Sequence, residues 1–100
     1  MEKLFPEKVF FRLRIEEVFS VVTGIVVTGR VACGQIHDKS DVVITDSSGL
    51  VLKRTKVKDL DWFSRRRYAH VTAGEGMNIA VILDKTDKEY LQRDHLIVIE

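Results

Sequence analysis

The chain has 100 residues, enough for one domain, since compact domains usually run to about 100–150 residues. Its 45% hydrophobic and 31% charged residues exclude a disordered chain, and 16 Lys and Arg against 15 Asp and Glu, a net +1, exclude a global pull toward nucleic acid or acidic membranes. No apolar run reaches the roughly eighteen residues of a membrane span, MEKLFPEKVF lacks a signal peptide's apolar stretch, and the single Cys33 cannot form an internal disulfide, so a cytoplasmic protein with no membrane partner is expected.

Hydrophobic residues come in short runs rich in Val, Ile, Phe and Thr between turn signals, which is the strand pattern. Phe11, Leu13 and Ile15 alternate with Arg12, Arg14 and Glu16, giving a strand with one dry face and one wet face. Ile25 to Cys33 is a second strand, with Val27, Gly29, Val31 and Cys33 on one side and Val26, Thr28, Arg30 and Ala32 on the other. Gly34 to Ser40 reads as a polar connection and Asp41 to Thr45 as a strand. Asp46-Ser47-Ser48-Gly49 is a turn, because its short side chains bond their own backbone and its glycine can take positive φ. Leu50 to Trp62 reads as one long strand or two with a break, Met77 to Leu83 as another, and Ile97 to Ile99 as the last. Thr86-Asp87-Lys88-Glu89 has the spacing of a capping box, which predicts a single helical turn before that last strand.

Six or more strands with almost no helix imply a β-sandwich or a barrel. A closed barrel is the expectation, because closure hides sheet edges without a covering helix. Gly24 and Gly29 suit bulges or tight corners where such a sheet bends.

Catalytic chemistry finds no foothold. There is no phosphate loop and no GxGxxG between a strand and a helix. His37, His70 and His95 lack metal-ligand spacing and read as scattered surface histidines. Cys33 reads as a small buried apolar residue rather than a nucleophile. Glu16 and Glu17, adjacent on a strand, are expected on opposite faces, which disfavours a two-carboxylate hydrolase. No enzyme, cofactor or metal is expected.

Positive charge is uneven. Lys53, Arg54, Lys56, Lys58, Arg65, Arg66 and Arg67 lie close together against only Asp59 and Asp61, with Trp62, Phe63 and Tyr68 interleaved. Cations that neutralise phosphate beside aromatic faces that stack bases suit a single-stranded nucleic-acid surface. The alternative is a solvated strand edge, where lysine discourages edge-to-edge pairing.

These residues also carry a family resemblance. FRLRIEEVFS (Phe11 to Ser20), then Gly24-Ile25-Val26-Val27-Thr28-Gly29-Arg30-Val31 and Gly34, resembles the opening of the second domain of the translational GTPases, most closely that of elongation factor Tu. The family pattern there is F-x-(L/M)-P-(I/V)-E-D-V-F-S, then G-R-G-T-V-V-T-G-R-V-x-x-G. Val57 to Phe63, Ala73-Gly74-Glu75, Asn78 to Leu83 and Thr86 to Leu96, with Arg93 aligned, are similar to later parts of that domain. The sequence departs from the pattern in a shortened Thr23-Gly24-Ile25, in Lys39-Ser40-Asp41 for G-D-E, in Arg14 for proline, and in an insertion around Gly76-Met77.

The resemblance implies a single closed barrel of about six to eight strands, with 1–9 as lead-in and 10–100 as the barrel. It implies a pocket for RNA or an aminoacyl end at Glu16, Glu17, Val26, Thr28, Asp61 and Asn78, beside the basic and aromatic surface of Lys53, Arg54, Lys56, Lys58, Arg65, Arg66, Arg67 and Tyr68. The expected role is non-catalytic contact with ribosomal or transfer RNA, not DNA, in translation. The alternative is a protein adaptor that docks to a GTPase domain or another partner in trans. The chain is read either as a free-standing copy of this domain or as a piece excised from a larger translation-factor-like protein.

Overall fold

A computed structural model of the chain describes residues 2–5, 8–62, 72–74 and 76–100. Nine strands form: β1 (Phe11–Val21), β2 (Gly24–Cys33), β3 (Gln35–His37), β4 (Asp41–Thr45), β5 (Val51–Lys56), β6 (Asp59–Trp62), β7 (Thr72–Gly74), β8 (Asn78–Leu83) and β9 (Leu96–Ile99). Seven of them make one sheet in the order β5-β4-β9-β1-β2-β8-β6, and β3 pairs with β7 in a small ribbon. Each of these pairings is antiparallel.

The edge strands β5 and β6 are joined by Val57 and Lys58 alone. Laid flat, seven strands spaced about 4.8 Å apart would hold those edges about 29 Å from each other. Three Cα steps reach about 11 Å at most. The sheet must therefore curl enough to bring the end of β5 and the start of β6 within that reach. The Val57 amide donates to the Ser40 carbonyl and the Lys58 amide to the Ile82 carbonyl, which ties the crossing to both sides of the curl. Among the described residues no ladder joins β5 to β6, so the architecture is all-β and curled into a half-barrel.

The curl encloses one apolar core. Phe11, Leu13 and Ile15 of β1 meet Ile25, Val27 and Val31 of β2, Ile79, Val81 and Leu83 of β8, and Ile97 of β9. Ile36 of β3 is fully buried as well, which is why the polar-looking Gly34–Ser40 connection holds a strand. Burying a side chain of this size contributes about 1.5–3 kcal/mol, so the alternation read from the sequence sets which face turns inward.

Gly29 sits opposite Ile15 where the backbones of β1 and β2 crowd. A Cβ there would lie 2.2 Å from the Arg14 carbonyl oxygen. The next pair is Glu17 with Thr28, so Glu16 is the extra residue of a β-bulge. That bulge corrects the simple alternation expected for Glu16 and Glu17: both are exposed.

The predicted helical turn is a 3-10 turn at Lys85–Tyr90. Its cap is Asp84 rather than Thr86, and the Asp84 carboxylate accepts from both the amide and the hydroxyl of Thr86. The turn carries a fully buried carboxylate, Asp87, which pairs with Lys53 and accepts from the Thr55 hydroxyl at 2.7 Å.

The lead-in is part of the fold. The Leu4 amide donates to Gly49, the Val51 amide to Glu2 and the Phe10 amide to Ile99. Leu4 and Val9 pack on a second, smaller cluster of Val43, Leu96 and Val98 outside the main core.

Candidate functional site

Directly opposed residues on neighbouring strands share a face, so the ladder register decides which expected site residues meet. Thr28 of β2 stands opposite Glu17 of β1 and opposite Ala80 of β8, and Ala80 in turn stands opposite Asp61 of β6. Glu17, Thr28, Ala80 and Asp61 thus form one row across four strands. The adjacent row is Arg14, Arg30 and Asn78, all exposed. On the other side lies Phe19, Val26 and Ile82. The register therefore gathers Glu17, Val26, Thr28, Asn78 and the backbone position of Asp61 on a single outer face, with Glu16 bulging at its margin. Thr28 is half-buried, and Val26 is buried beside it at 8% exposure, outside the main core.

An open groove of about 680 Å³ lies along this face, bounded by Arg14, Glu16, Glu17, Arg30, Arg93 and Asp94. Arg14 donates from Nε and Nη2 to Asp94 Oδ1, each at 2.9 Å. Arg30 and Arg93 have no carboxylate partner among the described residues. The motif list missed Arg30 as a site residue, although it lies two positions beyond Thr28 and so shares its face. The groove combines the Arg30 and Arg93 guanidinium groups, without a carboxylate partner among the described residues, with the exposed carboxylates of Glu16 and Glu17, which suits recognition of phosphate and amino groups.

The other expected surface does not assemble in the same way. Lys53 and Thr55 stand opposite Ile44 and Val42 and so lie on the inner face, by the 3-10 turn. Lys53 lies over the Tyr90 ring, 5.6 Å from its centre, and bonding to Asp87 raises its pKa above the usual lysine value. Arg54, opposite Val43, faces outward, where its Nη2 lies 2.6 Å from Glu2 Oε1 and 2.6 Å from Glu100 Oε1. These bonds, Glu2 first and then Glu100, push the Arg54 pKa up. Lys56 lies 3.7 Å from Asp41, and Lys58 donates to the Thr23 carbonyl at 2.9 Å. The four cations are therefore divided between two faces, and each has an internal partner. Arg65, Arg66, Arg67, Tyr68, Phe63 and His70 lie outside the described residues.

His95 has a local role. His95 Nδ1 is 2.7 Å from the Tyr90 carbonyl oxygen and Nε2 is 2.7 Å from the Gln92 amide nitrogen, which fixes the loop between the 3-10 turn and β9. Cys33, expected buried, is half-buried at the end of β2. Among the described residues no group of three or more His, Cys, Asp or Glu could hold a metal, and no helix is long and apolar enough to cross a membrane.

No protein-family model matches the sequence, and no curated protein matches it. Among solved structures the chain is similar to a bacterial selenocysteine-specific elongation factor EF-Sec, with a TM-score of 0.67 and 23% identity over 98% of this chain and 16% of that one. It is also similar to the apo form of translation elongation factor SelB from Methanococcus maripaludis, with a TM-score of 0.72 and 18% identity over 100% of this chain and 21% of that one. The chain spans 16–21% of the length of these proteins. The translation-factor resemblance read from the sequence therefore holds at the level of fold, and the matched structures are selenocysteine-specific factors where the sequence pointed most closely to elongation factor Tu.

Proposed function

We propose that this chain is a non-catalytic binding module of the translation apparatus that contacts ribosomal or transfer RNA through the outer face of β1, β2, β8 and β6. The observation that carries the reading is the register, which sets Glu17, Thr28 and Asn78 on one outer face with Arg14 and Arg30, next to the groove lined by Arg14, Glu17, Arg30 and Arg93. The fold it shares with parts of elongation factors supports a translation role by analogy. Guanidinium groups pair with phosphate in bidentate fashion, while Thr28 and Asn78 offer partners for ribose hydroxyls. The edge-to-edge passage at Val57 and Lys58 supports completion of the curl as a closed barrel, with its work done on the outside. On this reading the protein acts in the cytoplasm and neither binds nor hydrolyses GTP.

The test is a salt titration of transfer RNA binding, followed by fluorescence anisotropy. Contact through about four cations gives a slope near −3 of log affinity against log salt. Replacing Arg30 and Arg93 together by Gln should weaken binding and flatten that slope. Unchanged affinity would remove the groove from the mechanism, and GTP hydrolysis by the pure protein would overturn the non-catalytic assignment.

A second reading, a protein adaptor, draws on the tip of the β1–β2 hairpin, where Val22 is 92% exposed and Phe19 46% exposed. It requires a protein partner whose capture survives nuclease treatment and is lost in Phe19→Ser. Capture that disappears with nuclease would sink it.

A further inference from the structure

The cations of β5 differ in how firmly they are held. Lys53 is committed to the fold, because its partner Asp87 is fully buried. Arg54 is not: its guanidinium is 51% exposed and its partners Glu2 and Glu100 are 49% and 47% exposed. Exposed pairs of this kind contribute little and exchange readily. Glu100 Oε1 takes the Nε–Nη2 edge, at 3.2 Å and 2.6 Å, and Glu2 Oε1 lies 2.6 Å from the same Nη2. That edge is the fork with which arginine grips phosphate. Beside it runs an open groove of about 620 Å³ bounded by Asp41, Val43, Arg54, Lys56, Ile99 and Glu100. Two cations face three carboxylates here once Glu2 is counted, so the local balance opposes a polyanion as long as the lead-in stays in place.

We propose that Glu2 and Glu100 mask Arg54, and that an RNA strand binding the β4–β5 outer face displaces the Glu2 carboxylate and lifts the lead-in strap. This rests on the RNA reading above and adds a second, self-inhibited face to it. Strap and face are coupled because Glu2 and Leu4 belong to one short segment, held to the turn before β5 by the Leu4–Gly49 and Val51–Glu2 backbone bonds. Lifting it uncovers Val43 and Val98, which stand in one row between Arg12 and Arg54. The uncovered row has an apolar centre with a cation at each end, a surface on which bases can rest while phosphates are neutralised.

The probe is a fluorescein-labelled polyuridine strand of about ten nucleotides, within the length one small barrel can hold. Glu2→Gln with Glu100→Gln frees one cation. For single strands this steepens the salt slope by about 0.7 and corresponds to roughly eightfold tighter binding at about 50 mM salt. Adding Arg54→Gln should cancel that gain. In the unaltered protein, saturating RNA should speed hydrogen exchange at the Leu4 and Val51 amides. An unchanged slope in the double variant, with wild-type binding still sensitive to Arg30→Gln, would overturn the mask and leave the first face standing. Absence of polyuridine binding by both proteins would overturn both readings. Gain without faster strap exchange would refute the coupling, and an equal gain for polyglutamate would replace RNA by an acidic peptide.

Discussion

Gly29→Ala measures how closely β1 and β2 must approach. The new Cβ would stand 2.2 Å from the Arg14 carbonyl oxygen, 3.2 Å from the Arg14 carbonyl carbon and 3.0 Å from Leu13 Cδ2. Relief requires the two backbones to part by about 1 Å, against a strand spacing of about 4.8 Å. Parting breaks ladder hydrogen bonds, each contributing about 1 kcal/mol. It also drags Leu13 and Ile15, both fully buried, out of register with the core, and repacking of that kind costs about 1–3 kcal/mol. The expected loss is about 3–4 kcal/mol, from a total near 5–15 kcal/mol for a domain of this size. Urea unfolding at constant slope, or a fall in Tm of about 12–25 °C, would record it. Gly76→Ala is the control, since the nearest atom to its Cβ is Arg30 Nη2 at 3.9 Å and only its φ of +86° opposes the change. That variant should lose about 1 kcal/mol. A Gly29→Ala protein that loses no more than the control would refute the close-approach argument.

Asp87→Ala removes the buried acceptor of Thr55 and should cost about 2–3 kcal/mol, the range for a hydrogen bond to a charged group. An unchanged urea midpoint would show that the 3-10 turn does not depend on it. Asp46 and Asp84 are held below the ordinary carboxylate value of 3.8, Asp46 first by the Ser48 hydroxyl and then by the Leu50 amide, Asp84 by the Thr86 amide and hydroxyl. A depressed folded-state pKa stabilises the protein above the unfolded value, and that stabilisation fades as pH falls through the folded one. Stability should therefore decline below about pH 4, and Asp46→Asn should flatten that decline. An identical pH profile in the variant would count against the turn.

β1 was legible because it alternates apolar and polar residues, β4, β8 and β9 because they are short apolar runs, and the Asp46–Gly49 turn because its side chains bond locally. Glu16 was not, since its bulge sits where Gly29 of another strand crowds Arg14, and nothing local in the sequence marks that approach. The β3–β7 ribbon escaped for the same reason: Ile36 is the one buried apolar residue of β3, and that strand exists through pairing with Thr72–Gly74. At the 3-10 turn the spacing located the helix but not its cap, which is Asp84, two residues before Thr86. The basic cluster shows the limit of charge arithmetic. Lys53 and Arg54 are neighbours in sequence, yet strand alternation sends them to opposite faces and to partners at Asp87, Glu2 and Glu100. The six residues of the expected pocket all lie on strands, and only the sheet order reveals that Glu17, Val26, Thr28 and Asn78 share an outer face.

The position of β9 sets an order of events during synthesis. This strand, the last in chain order, lies between β1 and β4 and pairs with both. Until Leu96–Ile99 leaves the ribosome, no strand ladder joins the β4–β5 hairpin to β1, and only the Val57–Lys58 crossing links it to β6 and β8. Two unfinished pieces with bare edges must wait side by side, and non-local pairing of that sort is slow and prone to misassociation. A nascent chain stalled a few residues short of Leu96 should therefore be sensitive to protease in the β4–β5 hairpin, while one in which β9 has emerged becomes resistant there.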